Sequence, residues 1–215
     1  MAKKNEASVL ELPALNIVQM TLRVVGDTPL IMHKWSEKAK REMLDKQMKR
    51  ATSKKTAKDP EADFVDTIYW LSGEPEEKTE EAVAAAINSG ARIGFPATGF
   101  KKCAIMGAYR SGADIKTTVA KAAIIIPAEF IEIHGSAVTM REDMVKVGGI
   151  TKVADIRYRA QVENWWADIP IRFNANVMSA EQVVNMFQLG GFACGVGEWR
   201  NERDGVFGAF HVATA

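Results

Sequence analysis

The chain has 215 residues, 47% of them hydrophobic and 26% charged, and its net charge is +1. That length supports one good-sized core or at most two small ones, and the near-zero total charge gives no general argument for polyanion binding. Two cysteines and three scattered histidines offer neither a disulfide framework nor the paired spacing of a structural zinc site. No apolar run approaches the ~20 residues of a membrane helix. With no signal-peptide pattern at the N-terminus, a cytoplasmic protein without metal or other cofactor is expected.

Residues 1–16 are polar and then mixed, and are expected to form an N-terminal arm. Val18, Met20, Leu22 and Val24 then alternate with Gln19, Thr21 and Arg23, the pattern of a half-buried strand that Gly26-Asp27-Thr28-Pro29 ends. Ser36 is placed to cap a helix running to about Arg50, with a thin apolar stripe (Ala39, Met43, Leu44, Met48) and a basic opposite face. From Lys34 to Lys58 ten Lys/Arg oppose three acids, and from Asp59 to Glu81 nine acids oppose one lysine. The small net charge therefore hides two opposed blocks. Such blocks usually mean a solvated helix and a charged linker. Their functional reading is a basic surface beside an acidic segment that could dock on a neighbouring subunit. A charged insertion is expected at about residues 52–78, with Thr52–Ala62 as a mobile loop.

Phe64–Leu71 reads as a short strand. Thr79 caps a helix through Asn88, with Glu80 and Glu81 at its N-terminal dipole. Beyond Pro96, Thr98 is read as the cap of a helix whose stripe is Phe100, Cys103, Ala104, Gly107 and Ala108, small enough to pack closely on a sheet. Ala122–Ile133 is β-branched, and Pro127 puts it at an edge or a bulge. Met144–Val153, with Gly148-Gly149, reads as a bent or hairpin segment. Ile156–Asn174 reads as a hairpin with Ile156, Tyr158, Ala160, Val162, Ile169, Ile171 and Phe173 inward and Arg157, Arg159 and Arg172 outward. Ser179 and Gln182 form a capping box for a helix that Gly190-Gly191 is expected to stop. A second glycine set (Gly195, Gly197, Gly205, Gly208) then flanks Glu198–Arg203, and Val206–Val212 reads as a closing strand. Alternating strands and helices with antiparallel hairpins give an α+β fold class.

Gly195-Val196-Gly197-Glu198-Trp199-Arg200, followed by Gly205-Val206-Phe207-Gly208-Ala209-Phe210, resembles the C-terminal glycine-rich loop of the RAMP superfamily, the ferredoxin-like RNA-binding proteins of CRISPR systems. With Thr28-Pro29-Leu30-Ile31-Met32-His33 and Ile93-Gly94-Phe95-Pro96, the chain is more similar still to uncharacterised RAMP-like proteins of tailed phages and prophages. The likeness runs from about Ile17 to the C-terminus. It implies one ferredoxin-like, RRM-like βαββαβ domain over residues 17–215, an antiparallel sheet with helices on one face. It also implies single-stranded RNA or DNA as partner, a homo-oligomer or filament along that strand, and a phage-encoded protein of the host cytoplasm.

Single-strand binding needs cations for phosphates, planar groups for stacking and backbone donors. The basic helix offers Lys38, Arg41, Lys46 and Lys49, and the middle helix offers Lys101 and Lys102. The hairpin offers Arg157, Arg159 and Arg172. The glycine loop offers Trp199, Arg200 and Arg203, with Gly195, Gly197 and Gly208 free to present bare N–H groups. Trp165 and Trp166 are candidates for base stacking, or else cover a core edge. The expected function is non-catalytic binding. One alternative, implied by the resemblance, is metal-independent RNA cleavage with His33 as general acid or base, although no tyrosine stands near it in sequence. Another is a phage structural or assembly protein that binds no nucleic acid. There is no phosphate-binding P-loop and no nucleophile triad pattern, and Cys194 reads as a buried small apolar residue.

Overall fold

In β1 (Ile17–Gly26) the alternating pattern buries Leu22 and Val24 and leaves Thr21 and Arg23 in solvent. The structure is a computed structural model that describes residues 14–50, 57–147 and 153–214. After β1 come β2 (Leu30–Met32), α1 (Glu37–Gln47), α2 (Pro60–Asp66), β3 (Tyr69–Ser72), α3 (Glu80–Asn88), β4 (Arg92–Pro96) and α4 (Ala97–Arg110). The second half holds α5 (Thr117–Ala123), β5 (Ile124–Ile125), β6 (Phe130–Ile133), β7 (Ala137–Val147), β8 (Val153–Glu163), β9 (Trp166–Asn174), α6 (Ala180–Ala193) and β10 (Phe210–Val212).

The central sheet has the order β10-β1-β9-β5, with every pair antiparallel. Its strands and covering helices run β1, α4 with α5, β5, β9, α6, β10. That is a βαββαβ unit with the first and third strands in the middle, so the fold is α+β and ferredoxin-like at its centre. Phe100, Ala104 and Ala108 of α4 and Val183, Met186 and Phe187 of α6 join Leu22, Val24, Ile169, Ile171 and Phe173 of the sheet in one buried core. Two three-stranded sheets, β2-β8-β7 and β3-β4-β6, are inserted into this unit. No helix among the described residues is long and apolar enough to cross a membrane.

Several local expectations change. The predicted hairpin Ile156–Asn174 is two strands in different sheets: β8 pairs with β2 and β7, and β9 with β1 and β5. They part at Trp165, which is fully buried; its indole N–H donates to the Thr28 carbonyl at 2.8 Å, and its ring packs on Phe100 and Phe210. Alternation identifies a strand's two faces but not its neighbours, so the sequence could not show this parting. Phe64–Leu71, read as one strand, is divided: residues 64–66 end α2 and only 69–71 belong to β3. Asp59 caps α2 by accepting the Ala62 N–H at 3.1 Å, Pro60 sits in its first turn, and Phe64 and Val65 are buried. An Asp-Pro start is a helix signal, and it outweighs the short apolar run. The predicted insertion at 52–78 therefore supplies part of the core from residue 60 onward. Of the mobile-loop segment Thr52–Ala62, residues 52–56 lie outside the described residues.

The 122–133 segment divides between α5 and the short strands β5 and β6 in separate sheets, with Pro127 between them. α4 begins at Ala97 with no side-chain cap, so Thr98 lies inside it. Gly148-Gly149 falls outside the described residues, while the strands on either side of it pair from Ala137↔Glu163 to Val147↔Val153. Gly190-Gly191 does not stop α6. A Cβ on Gly107 of α4 would lie 2.3 Å from the Gly190 Cα, so these glycines let the two helix backbones touch. The helix ends instead at Gly195, whose φ is +70° and whose N–H returns to the Gly190 carbonyl at 3.0 Å. The predicted caps at Ser36, Thr79 and Ser179 all form. α1 is capped but buries no residue at all.

Candidate functional site

The glycine loop is sewn to β2 and to itself. Gly197 and Gly208 have φ of +83° and +65°; a Cβ on Gly208 would lie 1.7 Å from the Val196 carbonyl oxygen, and one on Gly197 2.5 Å from that of Ile31. Val196 N–H donates to Gly208 O at 2.9 Å, Glu198 N–H to Ile31 O at 3.0 Å and Gly208 N–H to Pro29 O at 2.8 Å. This corrects the expectation that Gly195 and Gly208 present bare donors to a ligand, since the Gly195 N–H is also taken, by the Gly190 carbonyl; the Gly197 N–H has no such partner among the described residues. Two of the three donors that would have made an anion nest are committed to packing within the fold.

Between this loop, β2, β4 and α4 lies a cleft of about 170 Å³ whose walls include His33, Tyr69, Phe95, Lys102, Glu198 and Arg200. His33 Nδ1 is 3.4 Å from Glu198 Oε1, and the Tyr69 hydroxyl reaches the His33 carbonyl at 3.5 Å. The contact with His33 holds the Glu198 carboxyl below the usual carboxylate range, against the opposing effect of burial. Burial pushes the Tyr69 phenol up, and the Glu198 charge adds to the effect. Tyr69 was missed in the sequence because 36 residues separate it from His33. Glu198 and Glu202 were visible between the loop's arginines, and their alternation with those arginines was the one signal that could have flagged them.

Two carboxylates near the loop, Glu202 and Asp143, each serve two arginines. Glu202 takes Arg200 Nε and Nη2 at 3.1 and 2.9 Å and Arg110 Nη2 at 3.1 Å. Burial works to raise its carboxyl, but the Arg200 hydrogen bonds and the two arginine charges outweigh it and hold the group low. Arg200 Nη1 also donates to the Gly197 carbonyl at 2.8 Å, so this guanidinium is a brace and not a free phosphate fork. Asp143 takes Arg141 Nε at 2.7 Å and Arg159 Nη1 at 3.0 Å. Arg159 is only 5% exposed, and its Nε has no hydrogen-bond partner.

Arg157 and Arg159, two apart on β8, share a face as expected, but Arg172 does not join them. The Arg159 side of β8 meets β7 and the loop, where the Arg141 guanidinium lies 4.5 Å from the Phe207 ring centroid. Arg157 pairs with Asp155 at 2.7 Å. Arg172 is exposed on β9, in the other sheet, without an ion-pair partner among the described residues. Trp165 is removed from stacking by its burial. Trp166 has His134 stacked on it at 4.0 Å between centroids and the Arg23 guanidinium at 4.3 Å, so its ring surface is already covered. Lys101 donates to the Lys121 carbonyl. Trp199, 37% exposed with φ of +51°, remains open on the outside of the loop.

Besides Arg172, the free cations among those predicted are Lys102 at the cleft, Arg203 in the loop, and Lys38, Arg41, Lys46 and Lys49 of the α1 region. All are exposed, and none has an ion-pair partner among the described residues. α1 opens at Glu37, four residues beyond His33 of the cleft. Among the described residues no group of three His, Cys, Asp or Glu side chains is gathered as a metal site requires.

No protein-family model matches the chain, and no curated protein matches it in sequence. Its structure is similar to the crystal structure of Cmr6 from Pyrococcus furiosus, with 7% identity and a TM-score of 0.45, over 92% of this chain and 98% of that one. A likeness at that level transfers no residue roles. The ferredoxin-like description rests on the strand order itself.

Proposed function

We propose that the protein binds single-stranded nucleic acid without cleaving it, the role its resemblance to the RAMP superfamily implies, and that copies assemble side by side along the strand. The observation that carries this reading is α1, a helix with no buried residue that begins four residues beyond His33 and bears Lys38, Arg41 and Lys46, which form no ion pair among the described residues. A surface of that kind gains free energy from phosphates by releasing their condensed counterions. Lys102 and Arg203 extend it across the glycine loop, and Trp199 is the open aromatic ring beside them. Glu202 does not cancel this charge, since it is already shared by two arginines.

Cleavage of the bound strand is a second reading, supported by one observation: the Tyr69 hydroxyl, His33 and Glu198 meet at the same cleft. An imidazole beside a carboxylate is the kind of pair that can serve as general acid and base in strand cleavage.

One experiment addresses both readings. Fluorescence anisotropy with short labelled single strands of RNA and of DNA, at low salt and with chelator present, should show binding that weakens as salt rises. The strand recovered afterwards should be intact. A protein that ignores both strands at low salt overturns the binding reading. RNA recovered shortened, with DNA intact, replaces it with the second.

A further inference from the structure

We propose that the cleft beside His33 seats one guanine base of the bound strand, with the Glu198 carboxylate accepting its N1–H and N2–H. This rests on the reading of the protein as a strand binder and adds base selectivity to it. The space of about 170 Å³ falls below the roughly 300–1,000 Å³ of sites for drug-sized ligands. It therefore suits a single flat ring system and not a dinucleotide. Tyr69 and Phe95 supply aromatic wall on one side, and Gly195 and Gly197 add backbone without side chains on the other. Splayed bases of single strands are held in this way, by aromatic surface and by hydrogen bonds to their Watson–Crick edges.

The polar end of the cleft selects the base. Glu198 exposes 44% of its side chain, and its one contact there is the long 3.4 Å approach of His33 to Oε1. An ionised carboxylate is an acceptor with about four lone-pair sites and no donor. It can take two parallel N–H groups, and guanine is the base whose Watson–Crick edge carries two neighbouring donors. Adenine and cytosine set a donor beside an acceptor, and uracil and thymine set one donor between two acceptors. Those acceptors would be left unpaired against a negative charge. Glu202 does not compete, because Arg200 and Arg110 hold it. Lys102, also lining the cleft and without an ion-pair partner among the described residues, is placed for the phosphate of the same nucleotide.

The test uses labelled adenine-tract strands that differ at one central position: guanine, inosine (which lacks the N2 amino group) or adenine. The native protein should bind the guanine strand about ten-fold or more tightly than the adenine strand, with inosine between them, since hydrogen bonds to a charged acceptor are strong. In Glu198→Gln, with folding checked by its melting temperature, the guanine-to-adenine ratio should fall to about one, because a carboxamide offers one acceptor and one donor. Equal binding of all three strands by the native protein overturns the guanine site and leaves strand binding standing. So does a guanine preference that survives in Glu198→Gln. Binding of none of the strands at low salt overturns strand binding itself.

Discussion

Arg159 and Lys38 are both cations on regular elements, and nothing in their immediate sequence tells them apart. In the fold, Arg159 is buried against Asp143, while Lys38 stands in solvent. Arg200 is likewise committed, to Glu202 and the Gly197 carbonyl, and Trp165 to the Thr28 carbonyl. The pairing of Arg159 with Asp143 has a testable energetic consequence. Removing one partner of a buried ion pair strands the other, at a cost of about 3–5 kcal/mol. We expect Asp143→Ala to lose that much in urea unfolding at neutral pH, and Asp143→Leu combined with Arg159→Leu to recover most of it. A single substitution costing less than about 1 kcal/mol, the size of an exposed pair, would mean that water reaches the site.

At the scale of the element, the helix caps were legible because they are local. A hydroxyl bonding an amide three residues on depends only on a few backbone angles, so Ser36, Thr79 and Ser179 could be read directly. Strand partners were not legible. The residues of β8 and β9 alternate as hairpin strands do, yet β8 pairs with β7 before it and with distant β2, while β9 pairs with distant β1 and β5. Gly190-Gly191 was misread for a related reason: glycine marks both a helix end and a close helix contact, and only the position of α4 distinguishes them. Gly190→Ala should therefore be costly even though alanine favours helices. Its Cβ would lie 2.8 Å from the Ala104 Cα and the Cys103 carbonyl oxygen. Backbone atoms cannot turn aside as a side chain can, so about 3 kcal/mol is expected. In a chain of this length that lowers the melting temperature by roughly 6–12 °C. An unchanged melting temperature would show that α4 and α6 can separate freely.

For the whole molecule, the charge blocks noted in the sequence become a spatial arrangement. Within the basic block, residues 37–47 form α1, which buries none of its residues; within the acidic block, α2 contributes Phe64 and Val65 to the core and Asp66 pairs with Lys78. If α1 is the main phosphate contact, replacing Lys38, Arg41, Lys46 and Lys49 with glutamine should flatten the salt dependence of strand binding. For single strands each lost contact lowers the logarithmic slope by about 0.7, so the four together should lower it by up to about 3. A weaker complex with an unchanged slope would place the phosphates elsewhere.

The sequence by itself determined the local features: three capped helices, the alternating β1, an α+β class, and the short segments that resemble the RAMP superfamily. These depend on interactions within a few residues of chain, where backbone geometry leaves few alternatives. The tertiary structure decided which polar groups are spent and which are free. Asp143 neutralises Arg159 across 16 residues, and Tyr69 joins His33 across 36. The strand order that brings such groups together is fixed by packing over the whole core, which no single stretch of the chain encodes.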